Sequence, residues 1–524
     1  MADKRKGAKR RKVRPAAPVL DDLPELQAAR AQWVKQDLLG ALARFDRAVR
    51  DNPRHVRALV DASRAFGAMY NYARAEELVD RLLDLGRGQG PILHLAAQSY
   101  RLMRRTDQAI AVFHQALAAR NPTSESHLEL GLLYERRNRL DEALTHAEAR
   151  LRAQPHDAEG KFLKARVQRR QGALEAAREG LQAIADAPTT HWMTRSRACA
   201  ELAQLLDEEG AYAEAWQAML AGKQLTSPNA REAKAHRDRL VPPLMNLAQD
   251  ILPENFNRWR AGAVDDTPKL ALLTGLPRSG TTLLERILDA HPGIVACDEF
   301  DAFPRLMFPV LLGRHSPADL SPELLDAIPE PLLAPQRSAF ADAMSAAVGQ
   351  PRGDAWLLDK NPSLLPLITP YLRFAPHGRV IVMLRDPRDV LVSCLMAYLP
   401  LNDFSVDFLD LDAAADRLIA DLEAWRGLRA KTGNACREIW YEDLIADVRS
   451  TSLRILEHLG LPWHDDVDHY RDIGAQRTVF SPSYDRVARP VYHSAVGRWR
   501  NYEQQLAGVL PRLTQSLERL RGSL

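Results

Sequence analysis

The sequence predicts two dissimilar parts, an N-terminal all-α solenoid followed by an α/β domain with a central parallel sheet. Three observations support this: a 34-residue repeat in the first half, a glycine loop between an apolar run and an amphipathic run, and a second apolar run that ends in a charged motif. Because 524 residues are too many for one hydrophobic core, we expect more than one domain.

The repeat is marked by small residues at a constant interval. Alanines 34 residues apart stand at positions Ala41, Ala75, Ala109, Ala143 and Ala177, and a sixth unit around Ala215 follows after 38 residues. Thirty-four residues is the period of the tetratricopeptide repeat, a helix pair that needs a small residue at its crossing and completes its core against its neighbours. We therefore expect a solenoid of about six repeats over residues 22–229, which could bind a peptide or partner protein.

The segments beside the solenoid have their own composition. The first fifteen residues carry eight basic side chains and the single acid Asp3, so we expect residues 1–21 to be a disordered basic tail. Nothing nearby supplies a groove reader or stacking platform, so nucleic acid is not the expected partner. Residues 230–266 are expected to be a helical connector, and residues 267–524 the α/β domain.

Composition argues against several classes of protein. No apolar run approaches the roughly 18 to 20 residues that span a bilayer, and the N-terminus lacks the apolar core of a signal peptide. The four cysteines have neither CxxC nor zinc-ligand spacing, and no acidic metal cluster is visible. We therefore expect a cytoplasmic protein without a membrane span or a bound metal.

The α/β domain opens with an anion-binding pattern. The apolar run 270–274 predicts a buried strand, a loop follows from Gly275 to Gly280, and residues 281–288 predict an amphipathic helix. This order aims backbone N–H groups and the positive helix end at an oxyanion. Further donors and charge come from Arg278, Ser279, Thr281 and Thr282.

The spacing of the two loop glycines is that of a Walker A loop, but Thr281 stands where that loop has its lysine. Nucleotide triphosphatases use this lysine on the β and γ phosphates, so its absence argues against ATP or GTP hydrolysis. A second strand is predicted over 380–384 and ends at Arg385, and a helix beginning near Val390 carries Ser393. A strand-end arginine and a serine in the first helical turn can converge on one phosphate.

Two segments, LPRSGTTLLERILDAHP and VIVMLRDPRDVLVSC, resemble the 5′-phosphosulfate loop and the 3′-phosphate motif of the PAPS-dependent sulfotransferases. Within that family, the chain resembles the tyrosylprotein sulfotransferases and the bacterial tetratricopeptide-repeat sulfotransferases, and the likeness covers about 267–500. It implies transfer of a sulfuryl group from PAPS to a hydroxyl, with PAP as product and no metal. The nucleotide-binding residues it implies are Arg278, Ser279, Gly280, Thr281, Thr282, Arg385, Ser393, Tyr441 and Arg489.

The resemblance also implies catalytic roles. Glu299 matches the general base of the family, and Lys360 matches the lysine that the family aims at the transferring sulfuryl group. Because fixed positive charge stabilises such a transfer, Lys360 and Arg278 are the candidates for this role. Arg305 matches an arginine near the acceptor, whereas Asp301 stands where the protein-tyrosine enzymes carry another arginine. This difference leaves the acceptor open among protein tyrosine, a carbohydrate and a small-molecule hydroxyl.

Two other classes of function stay open at the level of sequence. A P-loop kinase or NTPase would use Asp386 as its metal carboxylate, although the missing lysine weighs against it. A non-catalytic scaffold would keep the solenoid as its working part. Neither the solenoid's partner nor the oligomeric state is predicted.

Overall fold

The computed structural model describes residues 22–35, 37–264, 267–350, 353–362, 364–474 and 495–522. The basic tail and Arg489 lie outside the described residues. Contacts within the chain separate it into two compact units, the first ending at Ser126 and the second beginning at His127.

The N-terminal part is helical in every described element. Between Pro24 and Thr226 the described residues form twelve helices in six successive pairs: α1 Pro24–Val34, α2 Leu38–Asp51, α3 Val56–Ala68, α4 Tyr72–Leu85, α5 Gly90–Leu102, α6 Thr106–Ala118, α7 Glu125–Arg136, α8 Leu140–Ala153, α9 Ala158–Arg170, α10 Leu174–Asp186, α11 Trp192–Glu208 and α12 Tyr212–Thr226. The predicted all-α repeat region is thereby confirmed.

The repeat alanines share one structural position. Each lies in the first turn of the second helix of its pair, and all six are completely buried: Ala41, Ala75, Ala109, Ala143, Ala177 and Ala215. A larger side chain there would separate helices that pack in contact, which explains why the small residue recurs.

The turn inside the pairs also repeats, in the five pairs whose turn the structure describes completely. A residue in the left-handed conformation precedes the second helix in five pairs, at Tyr70, Arg104, Asn138, Gly172 and Gly210. These positions keep the 34-residue interval, with 38 residues before the last. The sequence pattern did not predict this feature, because three of the five residues are not glycine.

Two helices follow the repeats, α13 Arg231–Asp250 and α14 Pro253–Gly262. The Asp326 carboxylate accepts hydrogen bonds from the side chains of Asn255 (2.9 Å), Arg258 (2.5 Å) and Trp259 (2.6 Å), which ties α14 to the α/β part. None of the helices in the described residues is both long and apolar enough to cross a membrane.

The α/β part contains a five-stranded sheet: β1 Leu270–Gly275, β2 Ile294–Asp298, β3 Trp356–Lys360, β4 Arg379–Leu384 and β5 Cys436–Trp440. The order is β2-β3-β1-β4-β5 and every pairing is parallel, so the predicted central parallel sheet is confirmed. All six residues of β1 are buried, as expected for a strand covered on both faces.

Helices surround the sheet: α15 Thr281–Asp289, α16 Phe308–Leu312, α17 Pro322–Asp326, α18 Glu330–Val348, α19 Ile368–Phe374, α20 Pro387–Met396, α21 Leu411–Arg429, α22 Tyr441–Ala446, α23 Val448–Leu459, α24 Tyr470–Gly474, α25 Glu503–Leu506 and α26 Leu510–Gly522. Short 3₁₀ turns lie at Ser227–Asn229, Pro317–Asp319, Leu365–Leu367, Val406–Leu409, Gly433–Ala435, Asp465–Val467 and Arg498–Tyr502, and a π turn at Phe303–Met307.

One predicted helix begins earlier than expected. The helix after β4 starts at Pro387 rather than near Val390, because the Asp386 carboxylate accepts a hydrogen bond from the Arg388 N–H and so caps it. Proline suits the first helical position, where its missing N–H costs nothing.

The sheet topology selects the place for a ligand. The chain leaves β1 for β2 and β3 on one side and later adds β4 and β5 on the other. Parallel α/β sheets bind ligands at the carboxyl edge where the strand order reverses, which here is beside β1.

Candidate active site

The loop after β1 begins with an obligatory glycine. Gly275 has a φ of +146°, and a Cβ there would stand 1.9 Å from the Met383 carbonyl oxygen of β4. The next residue, Leu276, donates its N–H to that same oxygen at 3.2 Å. Only glycine permits this close crossing, which brings the loop against the end of β4.

Gly280, the last residue of the loop, makes room for an aromatic ring. Its φ is +95°, and a Cβ there would stand 2.5 Å from Tyr441 Cδ2. The Arg385 guanidinium carbon lies 4.7 Å from the centroid of the same ring. Tyr441 therefore joins the glycine loop to the motif at the end of β4.

The loop hydroxyls are held in place. Ser279 is fully buried, and its Oγ donates to the Leu276 carbonyl oxygen at 2.6 Å, which closes the loop on itself. Thr281 and Thr282 are buried in the first turn of α15, whose leading N–H groups have no partners within the helix. The positive end of α15 thus faces the loop, as the sequence predicted for an anion cradle.

The second predicted anion motif lies beside the first. The Arg278 Nε donates to the Ser393 Oγ at 3.2 Å, across 115 residues of sequence. Buried Arg385 donates to the Arg278 carbonyl oxygen at 3.0 Å and to the Ala495 carbonyl oxygen at 2.5 Å. The structure therefore brings Arg278, Arg385 and Ser393 together at the ends of β1 and β4.

Sequence reasoning missed Asp389, which anchors residues 497–499 to this motif. The Asp389 carboxylate accepts the N–H groups of Gly497 (2.7 Å) and Trp499 (3.0 Å). Burial raises the pKa of Asp389, against the opposing charge of Arg385. An acid two residues after a proline in the RDPRD motif gave a weak signal, but its partners lie more than a hundred residues away.

A second group lies at the ends of β2 and β3. Lys360 has no exposed surface, and its Nζ lies 2.5 Å from Asp298 Oδ1 and 3.3 Å from Glu299 Oε1. Burial disfavours the ammonium, but the charges of Asp298, Glu299 and Glu285 prevail and raise the pKa of Lys360. Lys360 is therefore a permanent cation at neutral pH.

Asp298, the neighbour of Glu299 in the chain, is the carboxylate nearest to Lys360. Its side chain is less exposed (12%) than that of Glu299 (30%). Lys360 thus pairs closely with one acid and leaves the other partly open to solvent.

Glu299 has an unusual backbone. Its φ is +49°, and its N–H donates to the Lys360 carbonyl oxygen at 2.7 Å. A non-glycine residue in this region costs about 1 kcal/mol or more, and such residues cluster at functional sites. The left-handed turn ends β2 and aims the Glu299 carboxylate back toward Lys360.

Arg305, the predicted acceptor residue, is exposed and lies in the π turn that follows. Its N–H donates to the Asp301 carbonyl oxygen at 3.1 Å. The Asp301 carboxylate accepts a hydrogen bond from Asn361 Nδ2 at 3.4 Å, next to Lys360 in the chain. Arg305 is therefore placed one turn from Asp301, at the same edge of the sheet as Glu299.

The chain resembles known proteins in both parts. Residues 271–465 match the sequence model described as "Sulfotransferase family", and residues 94–157 and 138–190 match that described as "Tetratricopeptide repeat". Protein-tyrosine sulfotransferase 1 of Danio rerio is 26% identical over 238 residues, covering 44% of this chain and 65% of that protein. Protein-tyrosine sulfotransferase 2 of Gallus gallus is 26% identical over 262 residues, covering 47% and 68%.

A bacterial relative extends further along this chain. An uncharacterized protein of Aquifex aeolicus is 25% identical over 351 residues, covering 65% of this chain and 44% of that protein. The chain thus spans less than two thirds of the Danio and Aquifex relatives. Among solved structures, the sulfotransferase domain from the curacin biosynthetic pathway aligns with a TM-score of 0.29 at 14% identity, over 46% of this chain and 98% of that one.

The family match covers four of the five strands and both anion motifs in full. Residues 271–465 therefore form a domain of the sulfotransferase family, preceded in the chain by tetratricopeptide repeats.

Proposed function

We propose that the chain binds PAPS at the carboxyl edge of its sheet and transfers the sulfuryl group to a hydroxyl acceptor, releasing PAP. The observation that carries the proposal is the 3.2 Å contact between Arg278 and Ser393, which joins the glycine loop to the second anion motif. A nucleotide with anionic groups at both its 5′ and 3′ positions needs two such motifs side by side.

The residues present suit this donor. The N–H groups of the loop, with the Thr281 and Thr282 hydroxyls, would hold the 5′ phosphosulfate at the start of α15. Arg385 and Ser393 would hold the 3′ phosphate, and the Tyr441 ring would lie against the adenine. Ser279 would keep the loop closed, and Arg489 is proposed for the 3′ phosphate region by its place in the sequence.

When bound, the donor supplies a sulfuryl group whose bond to a phosphate oxygen breaks as the bond to the acceptor oxygen forms. Glu299 would take the proton of the acceptor hydroxyl on its carboxylate, which is the more exposed of the two acids beside Lys360. Lys360, charged and with its Nζ 3.3 Å from Glu299 Oε1, would hold that carboxylate in place beside the reacting centre. Lys360 and Arg278 would also stabilise negative charge on the oxygens that surround the reacting centre.

Protein tyrosine is the first acceptor to test, because several relatives carry the name protein-tyrosine sulfotransferase. Asp301 does not favour an acidic peptide, so a carbohydrate or small-molecule hydroxyl is the alternative. Asp301→Arg separates these cases: it should raise turnover of an acidic tyrosine peptide if such a peptide binds beside Arg305. No change in turnover would favour the alternative acceptors.

The repeats would present a peptide or protein partner to the domain, by analogy with peptide-binding repeats of this type.

The enzymatic part of the proposal can be tested on the full chain, without truncation. The full chain is incubated with sulfur-labelled PAPS and a cell lysate, and the label is followed to protein, carbohydrate or small-molecule fractions. Label transfer that is lost in Glu299→Gln supports the proposal, and no PAPS-dependent labelling with any fraction would refute it.

A further inference from the structure

The last repeat pair, α11 and α12, contacts the α/β part next to both anion motifs. Helix α20 carries Ser393 and ends at Met396, so the carbonyl groups of its last turn lack donors within the helix. Lys223 of α12 supplies a donor at this helix end, because its Nζ donates to the carbonyl oxygens of Cys394 (3.4 Å) and Ala397 (3.3 Å). The C-terminal end of the Ser393 helix is thus held by a side chain of the repeats.

The charge of Lys223 fits this place. A cation at the C-terminal end of a helix interacts favourably with the negative end of the helix dipole. Burial lowers the pKa of Lys223 to about 8, so the ammonium predominates at neutral pH. The neighbouring Cys394 thiol stays neutral there, because burial raises its pKa to about 12.

A second contact holds the chain that follows Ala495. The Asp207 carboxylate, at the end of α11, accepts hydrogen bonds from Arg498 Nε (3.2 Å) and from the Tyr502 hydroxyl (2.6 Å). The Tyr502 ring also packs against Trp216 of α12, with 5.8 Å between ring centroids. The last repeat pair therefore fixes the turn Arg498–Tyr502.

The residues just before that turn contact Arg385. Ala495, three residues before Arg498, gives its carbonyl oxygen to the Arg385 guanidinium at 2.5 Å. Asp389 accepts the N–H groups of Gly497 and Trp499 on either side of Arg498. Asp207 is thus connected to Arg385 through one short segment with a hydrogen bond at each end.

We propose that the last tetratricopeptide repeat is a structural part of the donor-nucleotide site, in which Lys223 positions Ser393 and Asp207 positions Arg385. The inference rests on the proposed binding of PAPS at these motifs. Neither residue touches the nucleotide; each acts through the residue that it holds. The repeats would accordingly contribute to donor affinity as well as to partner binding.

Calorimetric titration of the full chain with PAP tests the inference. Lys223→Met and Asp207→Asn should each weaken PAP binding about three- to tenfold, the scale of one lost charge-assisted hydrogen bond. Lys161→Met and Asp186→Asn, exposed positions on repeat helices α9 and α10, are the matched controls and should bind as the parent does. Thermal melting confirms that each variant is folded.

A double-mutant cycle separates positioning from a general loss of structure. In the Ser393→Ala background, Lys223→Met should weaken PAP binding by less than twofold, because its effect passes through the missing hydroxyl. If the effects of Lys223→Met and Ser393→Ala on PAP affinity add in full, the positioning role is overturned. It is also overturned if Lys223→Met and Asp207→Asn bind PAP as tightly as the control variants do. A parent chain that does not bind PAP would instead refute the proposed function on which this inference rests.

Discussion

Lys360→Met tests the charge balance at the ends of β2 and β3. The substitution removes a fully buried cation and leaves Asp298 and Glu299 together without it. Removing one partner of a buried ion pair costs about 3–5 kcal/mol, because the remaining charge has lost a close opposite charge. At about 2–4 °C for each kcal/mol in a domain of this size, the melting temperature should fall by about 10 °C.

The pH dependence of this loss has a defined sign. The folded-state pKa of Lys360 is raised above its unfolded value, so its stabilisation is fully present at neutral pH and is lost only at strongly alkaline pH. The difference in melting temperature between parent and Lys360→Met should therefore stay constant between about pH 7 and 9.

A double variant distinguishes stability from chemistry. Asp298→Asn combined with Lys360→Met replaces the ion pair by neutral groups and should recover most of the lost melting temperature. Sulfuryl transfer should still be about 10²–10³-fold below that of the parent, the usual effect of removing a preorganised charge from an active site. The measurements are scanning calorimetry and release of PAP under single-turnover conditions.

Two outcomes would refute this reasoning. One is a Lys360→Met variant that melts within 2 °C or so of the parent, since the ion pair would then carry no free energy. The other is a double variant with parental turnover, since Lys360 would then serve folding alone.

Further predictions concern the loop, the repeats and the base. Gly280→Ala places a methyl group against the Tyr441 ring at a φ that alanine avoids. The PAP affinity measured by calorimetry should therefore fall about tenfold or more. Gly172→Ala is the control, because Gly172 has a similar φ but no neighbouring atoms, and it should leave the PAP affinity unchanged. Ala177→Leu should lower the free energy of unfolding by about 1–3 kcal/mol in denaturant titrations, while the adjacent exposed Ala176→Leu should change it by less than about 0.5 kcal/mol. Glu299→Gln should bind PAP as the parent does yet lose about 10²–10⁴-fold in transfer rate; equal losses in binding and rate would contradict its role as the base.

The repeat architecture could be predicted because each unit depends on nearby residues. One fully buried alanine per helix pair, such as Ala109 or Ala143, marks the period without knowledge of any distant contact. The left-handed residues of the inter-helix turns could not be predicted, because Tyr70 and Arg104 are poor formers of that conformation. Their backbone is set by the packing of the two helices that they join.

The local structure of the two proposed anion motifs could be predicted for a similar reason, since each is a short strand, loop and helix. Their contact could not: Arg278 meets Ser393 only because β1 and β4 are neighbours in the sheet. The same holds for the Asp298–Lys360 pair, which depends on the parallel register of β2 and β3. Strand order is a property of the whole sheet, and the spacing of motifs does not contain it.

Lys223 shows most clearly which contacts could not be predicted from the sequence. A lysine late in a repeat helix has the sequence environment of an exposed residue, yet it caps a helix end 171 residues away. Only the placement of α12 against α20 brings it next to the proposed nucleotide site.

The central claim is that the carboxyl edge of the sheet binds a nucleotide with anionic groups at both ends. Calorimetry of the full chain with PAP, compared with Arg278→Ala and Arg385→Ala, tests it most directly. The account predicts one PAP per chain, a preference for PAP over ATP with magnesium, and a loss of binding of about 100-fold in Arg385→Ala. PAP binding that is unchanged in both variants, or a preference for ATP with magnesium, would contradict it.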